Sequence, residues 1–117
     1  MSNERERAAQ PEDLARLFVE RANAGDAEGL AALYEPDAVL ASLQGVTVGR
    51  EAIRAAYEQM FAQRPKVALE AQLPTLRLGD LALTASRLPG GGVTAEVARR
   101  QPDGTWLWIL DRPTFRG

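Results

Sequence analysis

The chemistry open to this chain is limited first by two residue types that it lacks. Its 117 residues contain no His and no Cys. It therefore has no imidazole base, no cysteine nucleophile and no His- or Cys-ligated metal. The acidic residues also lack the spacing of a calcium loop or of a paired-carboxylate site. We expect no metal and no cofactor, and any proton transfer would fall to a single carboxyl group.

Asp111 is the carboxyl group whose predicted surroundings favour such chemistry. The segment 102–104, Pro-Asp-Gly, predicts a three-residue hairpin turn, and uninterrupted pairing outward from it places Asp111 opposite Ala95. One face then combines an acid and a base with apolar residues: Val93, Ala95, Val97, Arg99, Leu107, Ile109 and Asp111. A carboxyl group on an apolar wall has a raised pKa and can exchange a proton. The alternative is a structural Asp that pairs with Arg112 or another Arg, or that bonds backbone groups at the strand end.

The other face of this predicted hairpin carries two Trp and a Leu among polar and charged residues. Its members are Thr94, Glu96, Ala98, Arg100, Trp106, Trp108, Leu110 and Arg112. A sheet with helices on one side has no internal use for apolar groups on its other side. We therefore expect Trp106, Trp108 and Leu110 to meet a second copy in a two-fold homodimer. In the alternative, the helices cover the Trp face and the first face is the outer one.

The elements that must position these residues are read from the spacing of apolar side chains. Helical spacing predicts one helix that opens at 11–13 and ends at Gly25, a short second helix capped by Asp26, and a third from Arg50 to about Gln63. Strand-like segments lie before the third helix at 38–42 and 46–48, and after it at 67–73, 81–88, 93–101 and 105–112. This order indicates an α+β fold, with three N-terminal helices on one face of an antiparallel sheet.

Composition and charge are those of one globular domain. Apolar residues make up 45% and charged residues 26%, and the net charge is −2. This mild acidity argues against nucleic-acid binding. No apolar run reaches the roughly 18 residues of a membrane span, and the start lacks the apolar core of a signal peptide, so a cytoplasmic protein is expected. Residues 1–10 are predicted to be a flexible tail before a single domain at 11–117.

Several short signatures occur in an order that resembles the nuclear transport factor 2-like superfamily. They are AGDA at 24–27, LYEPDAV at 33–39, GREAI at 49–53, GDLA at 79–82, RQPDGTW at 100–106, and Asp111. The set is most similar to the SnoaL-like and ketosteroid-isomerase-like branches, which include many small bacterial proteins of unassigned function. The resemblance implies a curved sheet wrapped by three helices into a cone with a cavity, commonly in a dimer.

The resemblance also bears on the site residues. Ketosteroid isomerases carry a general-base Asp at the end of the first strand and an oxyanion-hole Tyr in the first helix. Alignment on AGDA puts Ser42 and Phe18 at these positions, and neither can perform that role. Asp111 matches an Asp often found on the last strand of the superfamily and remains the acid–base candidate.

A second group of residues is expected to line the cavity. It comprises Phe18, Tyr34, Ser42, Tyr57 and Arg99. Tyr34 and Tyr57 lie on predicted apolar helix stripes, where core packing is the alternative. Arg99 would hold an anionic group of a ligand, or would simply be solvated near the hairpin tip.

Three functions remain open at this point. The first is binding of a small apolar or aromatic molecule in the cavity. The second is a cofactor-free cyclase, isomerase or dehydratase that moves protons through Asp111. The third is a dimeric protein-interaction module.

Overall fold

Within the residues that the structure describes, three helices cover one face of a curved sheet of seven strands. The computed structural model describes residues 5–42, 45–63, 71–89 and 91–115. The helices are α1 (Asp13–Asn23), α2 (Ala27–Ala31) and α3 (Arg50–Gln63). The strands are β1 (Tyr34–Ser42), β2 (Gly45–Val48), β3 (Ala71–Gln72), β4 (Leu76–Leu78), β5 (Leu81–Arg87), β6 (Val93–Arg100) and β7 (Trp106–Phe115). This confirms the predicted α+β class, and within these ranges no helix is long and apolar enough to cross a membrane.

The helices begin and end where local chemistry requires it. Gly25, at φ +69°, follows α1 in a conformation that favours glycine. The carboxylate of Asp26 accepts a hydrogen bond from the Gly29 backbone N–H at 3.0 Å and so caps α2. Both features, and the span of α3, are as predicted. Tyr34, however, is the first residue of β1 and does not belong to α2.

Within the sheet, the strands lie in the order β2-β1-β7-β6-β5-β3, and β4 also pairs with β5. The β1–β7 pair is parallel, which corrects the prediction of a wholly antiparallel sheet; the other pairs are antiparallel. This parallel pair joins the first strand of the chain to the last. Of the strand predicted at 67–73, only β3 lies in the described ranges.

The β6–β7 hairpin starts as predicted and then changes register. Next to the turn, the Gln101 N–H donates to the Thr105 carbonyl at 2.7 Å. Further along, Ala98 pairs with Trp108, but Val97 pairs with Leu110, so β7 contains one extra residue between these two pairs; the register shifts again between Ala95 and Val93. Such a bulge moves every later side chain to the opposite face.

The bulge and the packing of the helices correct the predicted faces. Trp106 and Trp108 are only 4% and 3% exposed, because the helices cover the face on which they lie. The expectation that these two side chains meet another chain is therefore wrong, and the alternative is correct. Burying two indoles removes more apolar surface from water than the smaller residues of the other face would. Beyond the bulge, Asp111 joins the covered face, and Leu110 lies on the outer face with half of its surface exposed.

Residues 5–10, from the predicted tail, lie against the domain. The Ala8 side chain is buried in the core, and the Ala8 carbonyl accepts a hydrogen bond from the Trp106 N–H at 2.9 Å. Arg5 forms an ion pair with Asp26 at 2.8 Å. These contacts place the segment beside α2 and the start of β7.

Candidate functional site

Three polar side chains from distant parts of the chain meet under the helices. Tyr34 begins β1, Tyr57 lies in the middle of α3, and Asp111 follows the bulge in β7. The Tyr34 hydroxyl donates to Asp111 Oδ2 at 2.5 Å and lies 3.0 Å from the Tyr57 hydroxyl. All three side chains are buried. Three of the predicted site residues are thus joined in one hydrogen-bonded chain.

The second carboxyl oxygen of Asp111 is the atom of this hydrogen-bonded chain that is placed to react. Asp111 Oδ1 is buried, and within the described residues it has no hydrogen-bond partner. Burial, together with the nearby charge of Glu96, raises the pKa of Asp111 to about 8, although the Tyr34 hydrogen bond opposes the rise. The carboxyl group is therefore mostly neutral at pH 7 and holds one exchangeable proton. Such a group can donate a proton to a ligand oxygen or, once ionised, accept one.

Glu96 is a second buried acid that the sequence analysis did not select. It pairs with Asp111 across β6–β7 and with Thr84 across β5–β6. The Thr84 hydroxyl donates to Glu96 Oε1 at 2.6 Å and accepts from the Trp108 indole N–H at 3.3 Å. Burial raises the pKa of Glu96 as well. Its alternation with Thr94 and Ala98 on the Trp face was the signal in the sequence that could have identified it.

Aromatic rings surround the polar chain. Phe18 packs edge-on against Tyr57 and Trp108, with ring centroids 5.8 Å and 6.1 Å apart. The Tyr34 and Trp108 rings are 5.4 Å apart, and Phe61 lies 6.1 Å from Tyr57. Phe18 and Phe61 are half-buried, whereas the others are fully enclosed. These rings provide an apolar setting that keeps Asp111 neutral.

Of the other predicted site residues, Trp108 lies in this cluster and Arg99 does not. Arg99 is exposed and forms a two-bond ion pair with Glu35, at 2.8 and 2.9 Å. Ser42 ends β1, but its side chain lies outside the described residues. Trp106 is buried away from the cluster, whereas Trp108 belongs to it. In the described part of the chain, no group of three or more acidic residues could hold a metal ion.

Comparison with known proteins shows the family of this chain. The model of the SnoaL-like domain family matches residues 15–116, so the chain belongs to that family. A search of curated proteins found no match.

Solved structures share the fold at low sequence identity. A protein of unknown function from Mycobacterium tuberculosis is 21% identical with a TM-score of 0.75, and the match covers 91% of this chain and 70% of that one. A ketosteroid isomerase-like protein from Erwinia carotovora atroseptica is 17% identical with a TM-score of 0.71, covering 91% and 94%. A SnoaL-like protein of unknown function from Burkholderia thailandensis is 18% identical with a TM-score of 0.66, again covering 91% and 94%. At these identities the likeness shows the fold alone.

Proposed function

We propose that this chain binds a small apolar or aromatic molecule bearing a carbonyl oxygen and exchanges a proton with it through Asp111, as an isomerase, cyclase or dehydratase would. The observation that carries the proposal is Asp111 Oδ1: a buried oxygen without a described partner, on a carboxyl group whose pKa is raised to about 8. A structural Asp would be expected to satisfy both of its oxygens. Asp111 instead leaves Oδ1, the oxygen that bears its proton, available for a hydrogen bond to a ligand.

The proton transfer follows from the hydrogen-bonded chain. Neutral Asp111 donates its proton from Oδ1 to the carbonyl oxygen of the ligand, which makes the hydrogens on the neighbouring α-carbon acidic. The charge left on Asp111 is stabilised by the Tyr34 hydroxyl, which already donates to Oδ2. Tyr57 orients that hydroxyl from the helix side. Ionised Asp111 then removes one α-proton, so the ligand becomes an enol and the carboxyl group regains its proton.

Entry to the cluster is proposed at its two half-buried rings. Phe18 and Phe61 lie at the edge of the aromatic group, and both are more exposed than Tyr34 or Tyr57. Rotation of either ring would bring a flat apolar ligand alongside Trp108. The remaining aromatic rings would then contact the ligand in place of the rotated ring, so little buried apolar area would be lost.

Membership of the SnoaL-like family supports a ligand-binding or isomerase-like role at the level of the family. The residues differ from those expected of a ketosteroid isomerase, since Phe18 and Ser42 replace the oxyanion-hole Tyr and the general-base Asp. The proposed acid is instead Asp111, supported by Tyr34 from the first strand. Binding without turnover is the second candidate, because the same aromatic cluster would favour a flat apolar ligand even if no proton moved.

The proposal includes a homodimer formed through the outer face of the sheet. Apolar side chains lie in register across six neighbouring strands: Val48, Val39, Leu110, Val97, Leu83 and Leu76. Four of them are strongly exposed, at 62% for Val48, 50% for Leu110, 42% for Leu83 and 64% for Leu76. A continuous apolar row of this kind is typical of an interaction surface, and a two-fold axis would bury it against its own copy.

Proton exchange at a simple ketone tests the proposed activity. We expect the protein to accelerate deuterium incorporation from D2O into the α-carbon of 2-tetralone, followed by NMR. The rate falls as the pH rises through about 8, because neutral Asp111 is the form that donates the first proton. Asp111→Asn abolishes the acceleration, whereas Asp37→Asn, a matched change at an exposed residue of β1, leaves it intact.

Two results would contradict or narrow this function. Exchange at the wild-type rate in Asp111→Asn removes Asp111 from the role. Tetralone that perturbs the Trp108 indole signal without any exchange supports binding without turnover.

A further inference from the structure

A cavity of about 580 Å³ lies between the N-terminal segment and the β6–β7 hairpin, away from the residues of the Asp111 cluster. We call it the N-terminal pocket. Its apolar lining consists of Ala8, Ala32, Leu33, Pro102, Trp106 and Leu107. None of the residues that form the Tyr34–Asp111 chain lines it, so the proposed function does not use it.

The charged residues that line the N-terminal pocket are mostly basic. Four of them are arginines: Arg5, Arg7, Arg21 and Arg50. Two are acidic: Glu6 and Asp103. The excess of positive charge is local, because the whole chain has a net charge of −2.

Both acids of the pocket are already engaged by arginines. Arg7 pairs with Asp103 at 2.8 Å, and Glu6 pairs with Arg16, which lies outside the pocket lining, at 2.5 Å. Arg5 is neutralised from outside the lining by Asp26. After these pairs, two arginines of the lining, Arg21 and Arg50, have no ion-pair partner among the described residues.

Arg21 and Arg50 are bonded to backbone carbonyls. Arg21 donates to the Gly29 carbonyl at 2.8 Å and to the Glu6 carbonyl, and Arg50 donates twice to the Tyr34 carbonyl, at 2.9 and 2.5 Å. Among the residues described, no carboxylate forms an ion pair with either guanidinium. Arg21 is only 8% exposed, and an enclosed cation that forms no ion pair is unfavourable.

Burial is the main cause that lowers the pKa of Arg21; the charge of Arg5 adds to it, whereas Asp26, Glu6 and Glu20 oppose it from a distance without forming an ion pair with Arg21. Guanidinium groups held by backbone carbonyls are also pre-oriented, so little side-chain freedom is lost when an oxyanion binds them. The two groups thus have fixed positions, and neither forms a direct ion pair within the described residues.

We propose that the N-terminal pocket binds a small organic anion. A carboxylate or phosphate group contacts Arg21 and Arg50, and the apolar part of the ligand lies against Trp106 and Leu33. Arginine matches such oxyanions with charge-assisted hydrogen bonds, which are stronger in a partly enclosed pocket than in water. The pocket volume suits a ligand of a few tens of atoms or fewer.

The two tryptophans of the chain allow a site-resolved test. Trp106 lines the N-terminal pocket, whereas Trp108 belongs to the Asp111 cluster. Their indole N–H signals in a 15N NMR spectrum, assigned with Trp108→Phe, therefore report the two places separately. The probes are benzoate, phenyl phosphate and the neutral benzamide.

We expect benzoate or phenyl phosphate to shift the Trp106 signal, with an affinity about tenfold or more above that of benzamide. Added NaCl weakens this binding through screening. Arg50→Met weakens it by a similar factor, and Arg50→Lys weakens it less because the charge remains. Arg54→Met is the matched control, because Arg54 lies one turn further along α3 and pairs with Glu51 and Glu58 at the surface.

Three outcomes overturn the proposal. In the first, benzamide binds as tightly as both anions, which makes the pocket merely apolar. In the second, neither anion shifts the Trp106 signal, or the shift persists unchanged in Arg50→Met. In the third, the anions shift Trp108 and not Trp106, which places them in the Asp111 cluster. Arg50 is preferred to Arg21 for the decisive variant because it is less buried, and its folding is checked by thermal unfolding.

Discussion

Glu96 and Asp111 stand directly opposite each other on β6 and β7, and both carboxyl groups are buried on the face that the helices cover. Two acids in such a position cannot ionise together without large repulsion and loss of hydration. The burial of each, and the proximity of Glu96 to Asp111, shift their titration toward neutral pH. Asp111 differs from Glu96 in having an oxygen with no described partner, which is why we assign the proton transfer to it.

The first prediction concerns the pH dependence of stability. The pKa of Asp111 in the folded protein, about 8, lies above its ordinary value of 3.8, so the folded state binds this proton more tightly than the unfolded state. Its stabilising contribution is complete below about pH 4 and is lost as the pH rises through 8. We expect the free energy of unfolding in urea to fall by about 3 to 5 kcal/mol between pH 5 and pH 8.

Glu96 contributes to the same fall, because burial raises its pKa as well; Asp26 and Glu35 do not. The chain has no His. Arg5 and Arg99 lower the pKa values of Asp26 and Glu35, so the stability from those two acids is lost only under more acidic conditions. Asp111→Asn should reduce the fall above pH 5 and leave only the part due to Glu96, whereas Asp37→Asn keeps the whole fall. An equal slope in both variants would show that another group causes it.

The second prediction separates the causes of the raised pKa of Asp111. Glu96→Gln removes the neighbouring negative charge and lowers this pKa, whereas Tyr34→Phe removes the hydrogen bond to Oδ2 and raises it further. The titration of the Asp111 carboxyl carbon in a 13C NMR spectrum measures both shifts. A shift in the same direction in the two variants would contradict the assignment of the partners.

The third prediction tests the face on which the indoles lie. Trp108 is buried against Phe18 and Tyr34, so Trp108→Ala should lower the free energy of unfolding by about 3 to 5 kcal/mol. Leu78→Ala is the matched truncation, because Leu78 is 79% exposed, and it should change stability by less than about 1 kcal/mol. Comparable losses for the two variants, measured by urea unfolding, would mean that Trp108 does not lie in the core.

The fourth prediction concerns the proposed homodimer. Leu83→Lys combined with Leu110→Lys places charges in the middle of the apolar row and should convert dimers to monomers in sedimentation experiments. Glu58→Lys alters an exposed residue on α3 and serves as the control, with no change of oligomeric state. Dimers that persist in the double variant would place the interface elsewhere, and a monomeric wild-type protein would remove the dimer altogether.

Local features of this molecule were readable from the sequence. The span of α3, the Asp26 cap, the glycine at 25 and the turn at 102–104 were all predicted correctly. Each depends on residues within a few positions of one another, through apolar periodicity, capping or turn geometry. The order of these elements indicated the α+β fold, and the family resemblance added the expectation of a curved sheet wrapped by three helices.

Asp111 shows the limit of prediction from local sequence. Uninterrupted pairing placed it with Arg99, on the face thought to be covered, and left Trp106 and Trp108 outside. In the structure the extra residue in β7 exchanges the faces of Leu110 and Asp111, and the helices cover the Trp side. Asp111 is buried as expected, but only because these two differences cancel.

The sequence by itself thus determined the helices, the turns and the absence of His and Cys chemistry, and it indicated Asp111 as the candidate acid. Tertiary structure decided its partners Tyr34, Tyr57 and Glu96, and the separate pocket at Arg21 and Arg50. The physical reason is range. Capping and periodicity act between neighbours in the chain, whereas a bulge and the choice of the covered face are set by the packing of helices against the whole sheet.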